Sequence, residues 1–155
     1  MSEIKFDWET GIDEVCTKLK DKKLIGIQLP DGLKVKSHTI TKKIKELTGA
    51  NVILWGEPTY GACDLADRPL EEVGADALIH LGHMPMPYHS EFYAIPTYFV
   101  PVKHTGKLNL KEDSLKEIKE MLPKKIGIVT TAQHLHMIDE ATEKLENIGS
   151  FINHM

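Results

Sequence analysis

Leu24-Ile25-Gly26-Ile27-Gln28 is a short apolar run closed by Leu29-Pro30-Asp31-Gly32, and that junction decides the fold. Proline and glycine break the strand. Val35 to Leu47 then places Ile40, Ile44 and Leu47 on one helical face, and Gly49 ends that helix as its C-cap glycine. A second apolar run, Asn51 to Trp55, follows at once. Strand, helix and strand in so few residues imply parallel pairing through a right-handed crossover.

The same alternation extends outward on both sides. Toward the N-terminus, Thr10 to Lys20 reads as a helix with Ile12, Val15, Cys16 and Leu19 on its apolar face, which makes Cys16 a small core residue. Toward the C-terminus, a short helix begins near Pro69 and stops at Gly74. A third strand runs from Asp76 to Leu81, a loop from Gly82 to Ser90, and a fourth strand from Thr97 to Val102. The expected fold class is α/β: a parallel sheet flanked by helices, built of Rossmann-like βαβ units, occupying residues 1 to 104.

Residues 105–155 are expected to hold a connecting helix, Lys107 to Leu122, and an incomplete second α/β domain. Lys125-Ile126-Gly127-Ile128-Val129 echoes residues 24–28, and a turn, a helix and Gly149 follow as they do before Gly49. The copies are offset by about a hundred residues, as expected for a duplicated unit. Ser150 to Met155 begins a further strand. A strand, a helix and a strand stub bury too little surface to offset the entropy of ordering them. The expectation is therefore a chain cut from a longer one.

Composition excludes several functions. A formal net charge of -4 and a pI near 6.1 argue against a dedicated nucleic-acid binder. No apolar run is long enough to span a bilayer. The two cysteines make no disulfide framework, which suits a cytoplasmic protein.

Three loops carry the chemistry, each following a strand: Gln28 to Leu33, Tyr60-Gly61-Ala62-Cys63-Asp64, and His80-Leu81-Gly82-His83-Met84-Pro85-Met86-Pro87. In a parallel sheet such loops gather along one edge and can line one crevice. Pro30-Asp31-Gly32 reads either as a turn in which Asp31 caps the next helix, or as a backbone cradle for a carboxylate or phosphate. It lacks the spacing of a dinucleotide fingerprint or a P-loop. His80 and His83 either bond loop to loop or join Cys63 as a soft metal-ligand set. Met84 and Met86 either cover the crevice or line it. Cys63 has no apolar stripe to join, so a functional thiolate is the better reading.

These loops, in this order, resemble those of the archaeal diphthamide synthases, the 2-(3-amino-3-carboxypropyl)histidine synthases. Gly74-Ala75-Asp76, Ile95-Pro96-Thr97-Tyr98 and Thr130-Thr131-Ala132-Gln133-His134 add to the likeness, which covers essentially the whole chain. The resemblance implies three similar α/β domains, of which residues 1–104 are the first, each giving one cysteine to a 4Fe-4S cluster. It implies S-adenosyl-L-methionine as co-substrate and a radical transfer of its 3-amino-3-carboxypropyl group to a histidine of translation elongation factor 2, by a homodimer. Cys63 then becomes the metal ligand, and Cys16 does not. Gln28, Pro30, Asp31, Gly32, Tyr60, Gly61 and His83 become the cofactor-binding candidates, and no catalytic residue is assigned. The family's other two cluster cysteines have no counterpart up to Met155, so activity of this polypeptide alone is not expected. Two alternatives stand beside this reading: a zinc hydrolase using Cys63, His80 and His83, and a non-catalytic binding module that keeps the fold.

Overall fold

A computed structural model describes residues 8–87, 92–109, 111–121, 125–146 and 151–152. The elements in chain order are β1 (Trp8–Thr10), α1 (Ile12–Thr17), β2 (Leu24–Gln28), α2 (Asp31–Lys34), α3 (Ser37–Thr48), β3 (Asn51–Leu54) and α4 (Asp67–Glu72). They continue with β4 (Ala77–Leu81), β5 (Thr97–Val100), β6 (Val102–His104), α5 (Glu112–Met121), β7 (Lys125–Ile126), a 3-10 helix (Ala132–Met137), α6 (Ile138–Glu146) and β8 (Phe151–Ile152). The chain divides into two compact units: Glu9–Val102, and Met1–Trp8 with Lys103–Met155.

The first unit is a four-stranded parallel sheet in the order β3-β2-β4-β5, flanked by helices. The expected α/β class therefore holds. All five residues of β4 are buried, as are Ile25 to Gln28 of β2. Strands covered on both faces read as continuous rather than alternating apolar runs. One core cluster (Ala66, Leu70, Ala75, Leu78 and Ile95) joins α4 to the sheet, and Gly26 lies against Leu70, where a Cβ would come within 2.7 Å of Leu70 Cδ1. The Asp76 carboxylate accepts from Lys23 N at 2.8 Å and Leu24 N at 3.2 Å, fixing where β2 and β4 enter the sheet together. Their other ends are fixed by the register, which sets Gln28 beside His80 at the carboxyl edge.

Several boundaries differ from the sequence expectation, for local reasons. The helix expected over Val35 to Leu47 is two: Val35 ends α2, and α3 begins at Ser37. Asp31 is not the cap. Pro30 occupies that position, while Asp31 is the first helical residue and pairs with Lys34 Nζ at 2.7 Å. The fourth strand stops at Val100 because Pro101 has no N–H for the ladder, and β6 starts beyond it. The first helix covers Ile12–Thr17 of the expected Thr10 to Lys20, and α4 starts two residues before Pro69. Gly49 does end α3, at φ 76°. Cys16 is buried on α1 as expected.

In the second unit β7 and β8 pair in parallel, Lys125 with Phe151 and Ile126 with Ile152, through the 3-10 helix and α6. This is the strand–helix–strand order by which Leu24 pairs with Asn51 and Ile25 with Val52. The helix expected over Lys107 to Leu122 spans Glu112–Met121. Positions 88–90, Leu122, Gly149, Ser150 and 153–155, included in the sequence expectations, lie outside the described residues.

One contact joins two of the three loops. Gly82 has φ 89°, and a Cβ there would lie 2.6 Å from Pro30 Cγ, so the loop after β4 is seated on the loop after β2. Gly82→Ala combines a left-handed backbone with overlap on a rigid ring, at a cost of order 1–3 kcal/mol for the backbone alone. A lower midpoint of chemical denaturation is expected. An unchanged midpoint would show that the two loops shift apart freely.

Candidate functional site at the carboxyl edge of the sheet

The Cys63 loop is a tight turn held from below. Asp64 N donates to Gly61 O at 3.1 Å, and the Asp64 carboxylate accepts from Tyr60 N at 3.2 Å. Buried Ala62 and Ala66 flank the turn, and Cys63 stands on its exposed crest. The anchor is Gln28, only 1% exposed. Its Nε2 donates to Asp64 O at 2.6 Å, and its Oε1 accepts from Ala66 N at 3.2 Å. A side chain at the end of β2 thus grips both sides of the loop that follows β3.

The grip extends to β4. His80, fully buried, meets Gln28 Oε1 through Nδ1 at 3.0 Å and His83 Nδ1 through Nε2 at 2.9 Å. Phe99 of β5 lies tilted against His80 with ring centroids 5.2 Å apart, and Tyr93 against Phe99 at 6.0 Å. Burial, with the His83 ring alongside, pulls His80 down to about 4, and burial also lowers His83.

The sign of the resulting pH dependence follows from linkage. An unfolded His80 takes up a proton near pH 6.5, whereas the folded one resists until about pH 4. Stability is therefore full above 6.5 and falls as pH drops through that window, by roughly 3 kcal/mol at 1.36 kcal/mol per unit. Urea denaturation across the window checks this. His80→Asn is expected to flatten the profile there, and an equal slope in that variant would contradict the assignment.

The candidate residues do not all converge. Gln28, the Cys63 loop, His80 and His83 form one hydrogen-bonded set, and Pro30 packs on Gly82. Asp31 and Gly32 lie in α2 instead, where the Lys34 ammonium that pairs with Asp31 also donates to Gly56 O and Glu57 O at 3.1 and 2.6 Å. Tyr60 is 84% exposed. The zinc site of Cys63, His80 and His83 is not assembled. Among the described residues no three His, Cys, Asp or Glu side chains stand close enough to hold a metal ion, and both His80 nitrogens are already engaged.

A cleft of about 310 Å³ opens beside Cys63, lined also by Leu65, Asp67, Arg68, Phe92 and Tyr93. Sequence reasoning passed over these residues. Arg68 carried a signal, being the only arginine in the chain. Tyr93 carried none, yet its hydroxyl is buried with no partner among the described residues.

The two thiols differ sharply. Burial, reinforced by the Asp13 charge, pushes the Cys16 thiol up, whereas Cys63 is exposed. One thiol is expected to react with Ellman's reagent in the folded protein and two in denaturant. Two fast-reacting thiols in the folded state would contradict the burial of Cys16.

The family model described as "Putative diphthamide synthesis protein" matches residues 29–154, a span that includes Cys63 and the His80–His83 loop. This chain belongs to the diphthamide synthesis protein family. It is 42% identical over 137 residues to the 2-(3-amino-3-carboxypropyl)histidine synthase of Pyrococcus horikoshii, a match covering 84% of this chain and 39% of that protein. To the synthase of the same name from Methanocaldococcus jannaschii it is 30% identical over 143 residues, covering 85% of this chain and 42% of that one. The crystal structure of Dph2 from P. horikoshii with a 4Fe-4S cluster superposes with a TM-score of 0.76 at 38% identity, over 93% of this chain and 42% of that chain. The chain therefore spans about two-fifths of the length of these family members. No helix among the described residues is long and apolar enough to cross a membrane.

Proposed function

We propose that this chain forms part of a 2-(3-amino-3-carboxypropyl)histidine synthase, in which Cys63 is one ligand of a 4Fe-4S cluster. The reaction is the first step of diphthamide biosynthesis: transfer of the 3-amino-3-carboxypropyl group of S-adenosyl-L-methionine, by a radical route, to a histidine of translation elongation factor 2. The setting is the cytoplasm and the assembly a homodimer, with residues 1–104 as the first of three similar domains. One observation supports the reading above others. The exposed thiol of a family member crowns a turn that a buried glutamine grips from beneath.

The residues present fit one cluster ligand and not a set. Such clusters are held by several thiolates, and the other cysteine of this chain is buried in α1. A bound cluster supplies one-electron chemistry. The chain's own residues do the positioning. Gln28 fixes the height of Cys63, Gly82 on Pro30 ties the neighbouring loops, and Phe92 and Tyr93 wall the cleft beside the thiol.

The test joins this chain to the part of the P. horikoshii synthase that the match leaves uncovered. The joined protein, reconstituted anaerobically with iron and sulfide and given S-adenosyl-L-methionine and archaeal elongation factor 2, is expected to add the group to one histidine, read by mass spectrometry. A joined protein that binds the cluster but leaves the elongation factor unmodified would overturn the reading.

A further inference from the structure

The Gln28 amide has only one possible orientation. The Asp64 carbonyl accepts and cannot donate, so the atom 2.6 Å from it is the amide nitrogen. The Ala66 N–H donates and cannot accept, so the atom 3.2 Å from it is the amide oxygen. That oxygen is an acceptor, which puts a proton on His80 Nδ1, 3.0 Å away. In a neutral ring the other nitrogen keeps a bare lone pair, and His83 Nδ1 at 2.9 Å must donate to it. His83 therefore carries its own proton on Nδ1 and a lone pair on Nε2. That last atom makes no hydrogen bond among the described residues, and the His83 ring is only partly buried.

We infer that His83 Nε2 is a dedicated acceptor for a primary ammonium group, held in that state by the Gln28–His80 relay. The inference rests on the transferase reading for the identity of the ligand. The transferred group has two charged ends. Its carboxylate only accepts hydrogen bonds, and an acceptor-only nitrogen repels it. Its ammonium only donates, and complements the lone pair. Gln28 and His80 are positioning residues: the same amide that orders the tautomers also grips the Cys63 loop. The ammonium contact and the cysteine loop are thereby referred to one buried support.

The experiment is long-range proton–nitrogen correlation on the ¹⁵N-labelled 155-residue chain at neutral pH, with His83→Ala assigning the rings. His80 and His83 are both expected to show a protonated Nδ1 and a bare Nε2, although an isolated histidine side chain favours the opposite tautomer. In His83→Ala, His80 keeps its Nδ1 proton because Gln28 still accepts it. Addition of L-2-aminobutyrate, which has the carbon skeleton of the transferred group, is expected to shift His83 Nε2 upfield. Butyrate, which lacks the ammonium, leaves it in place. A proton on Nε2 of either ring in the unsubstituted chain overturns the relay. A His83 Nε2 that ignores aminobutyrate, or responds equally to butyrate, overturns the ammonium assignment. Neither readout needs iron, so failure of the transferase reading in the joined protein is a separate result.

Discussion

Gln28→Leu is expected to lower the stability of this chain by about 2–5 kcal/mol, a large part of the margin that a domain of this size possesses. Leucine fills nearly the same space, so packing alone predicts a small effect. The cost comes from what the amide leaves behind. Ala66 N and His80 Nδ1 lose their acceptor at buried positions, and each such group costs about 1–3 kcal/mol when left unpaired. The Asp64 carbonyl is only part-buried and recovers some of its loss through water. Urea denaturation followed by circular dichroism measures the change. A loss below about 1 kcal/mol would mean that the loop and β4 do not depend on this amide. Cys16, buried on α1 away from the loosened turn, is expected to stay protected from alkylation in this variant.

Both halves of this arrangement bear on what the residues reveal by themselves. The strands were legible because β2 and β4 are buried on both faces and so read as unbroken apolar runs. Gly49 was legible because a left-handed helix end selects glycine. The break between α2 and α3 was not, since Val35 continues the apolar pattern although it is 84% exposed. Cys63 stood out because no apolar stripe accounts for it. Its support did not stand out. Gln28 and His80 are 52 positions apart, and only the parallel register of β2 against β4 makes them neighbours. Asp31 shows the opposite error: a residue with capping chemistry spent on an ion pair with Lys34. Local chemistry was readable from residue type, whereas long-range partnership was readable only from the sheet.

The second large effect concerns function. In the joined protein, Cys63→Ala is expected to reduce aminocarboxypropyl transfer by more than the ~10–100-fold that loss of an outer-shell partner of a metal ligand costs. The effect on folding should be small, because the side chain is exposed and makes none of the bonds that hold the turn. Cys16→Ala makes the reciprocal case. It removes a buried atom from the face of α1 and is expected to lower stability while leaving transfer intact. The two substitutions thus separate a thiol used for chemistry from one used for packing.

The iron–sulfur absorbance of the anaerobically reconstituted joined protein tests the central claim most directly. The account predicts a 4Fe-4S spectrum that persists in Cys16→Ala and is lost or strongly diminished in Cys63→Ala, with the circular dichroism of the latter unchanged. An undiminished 4Fe-4S spectrum in folded Cys63→Ala would contradict it.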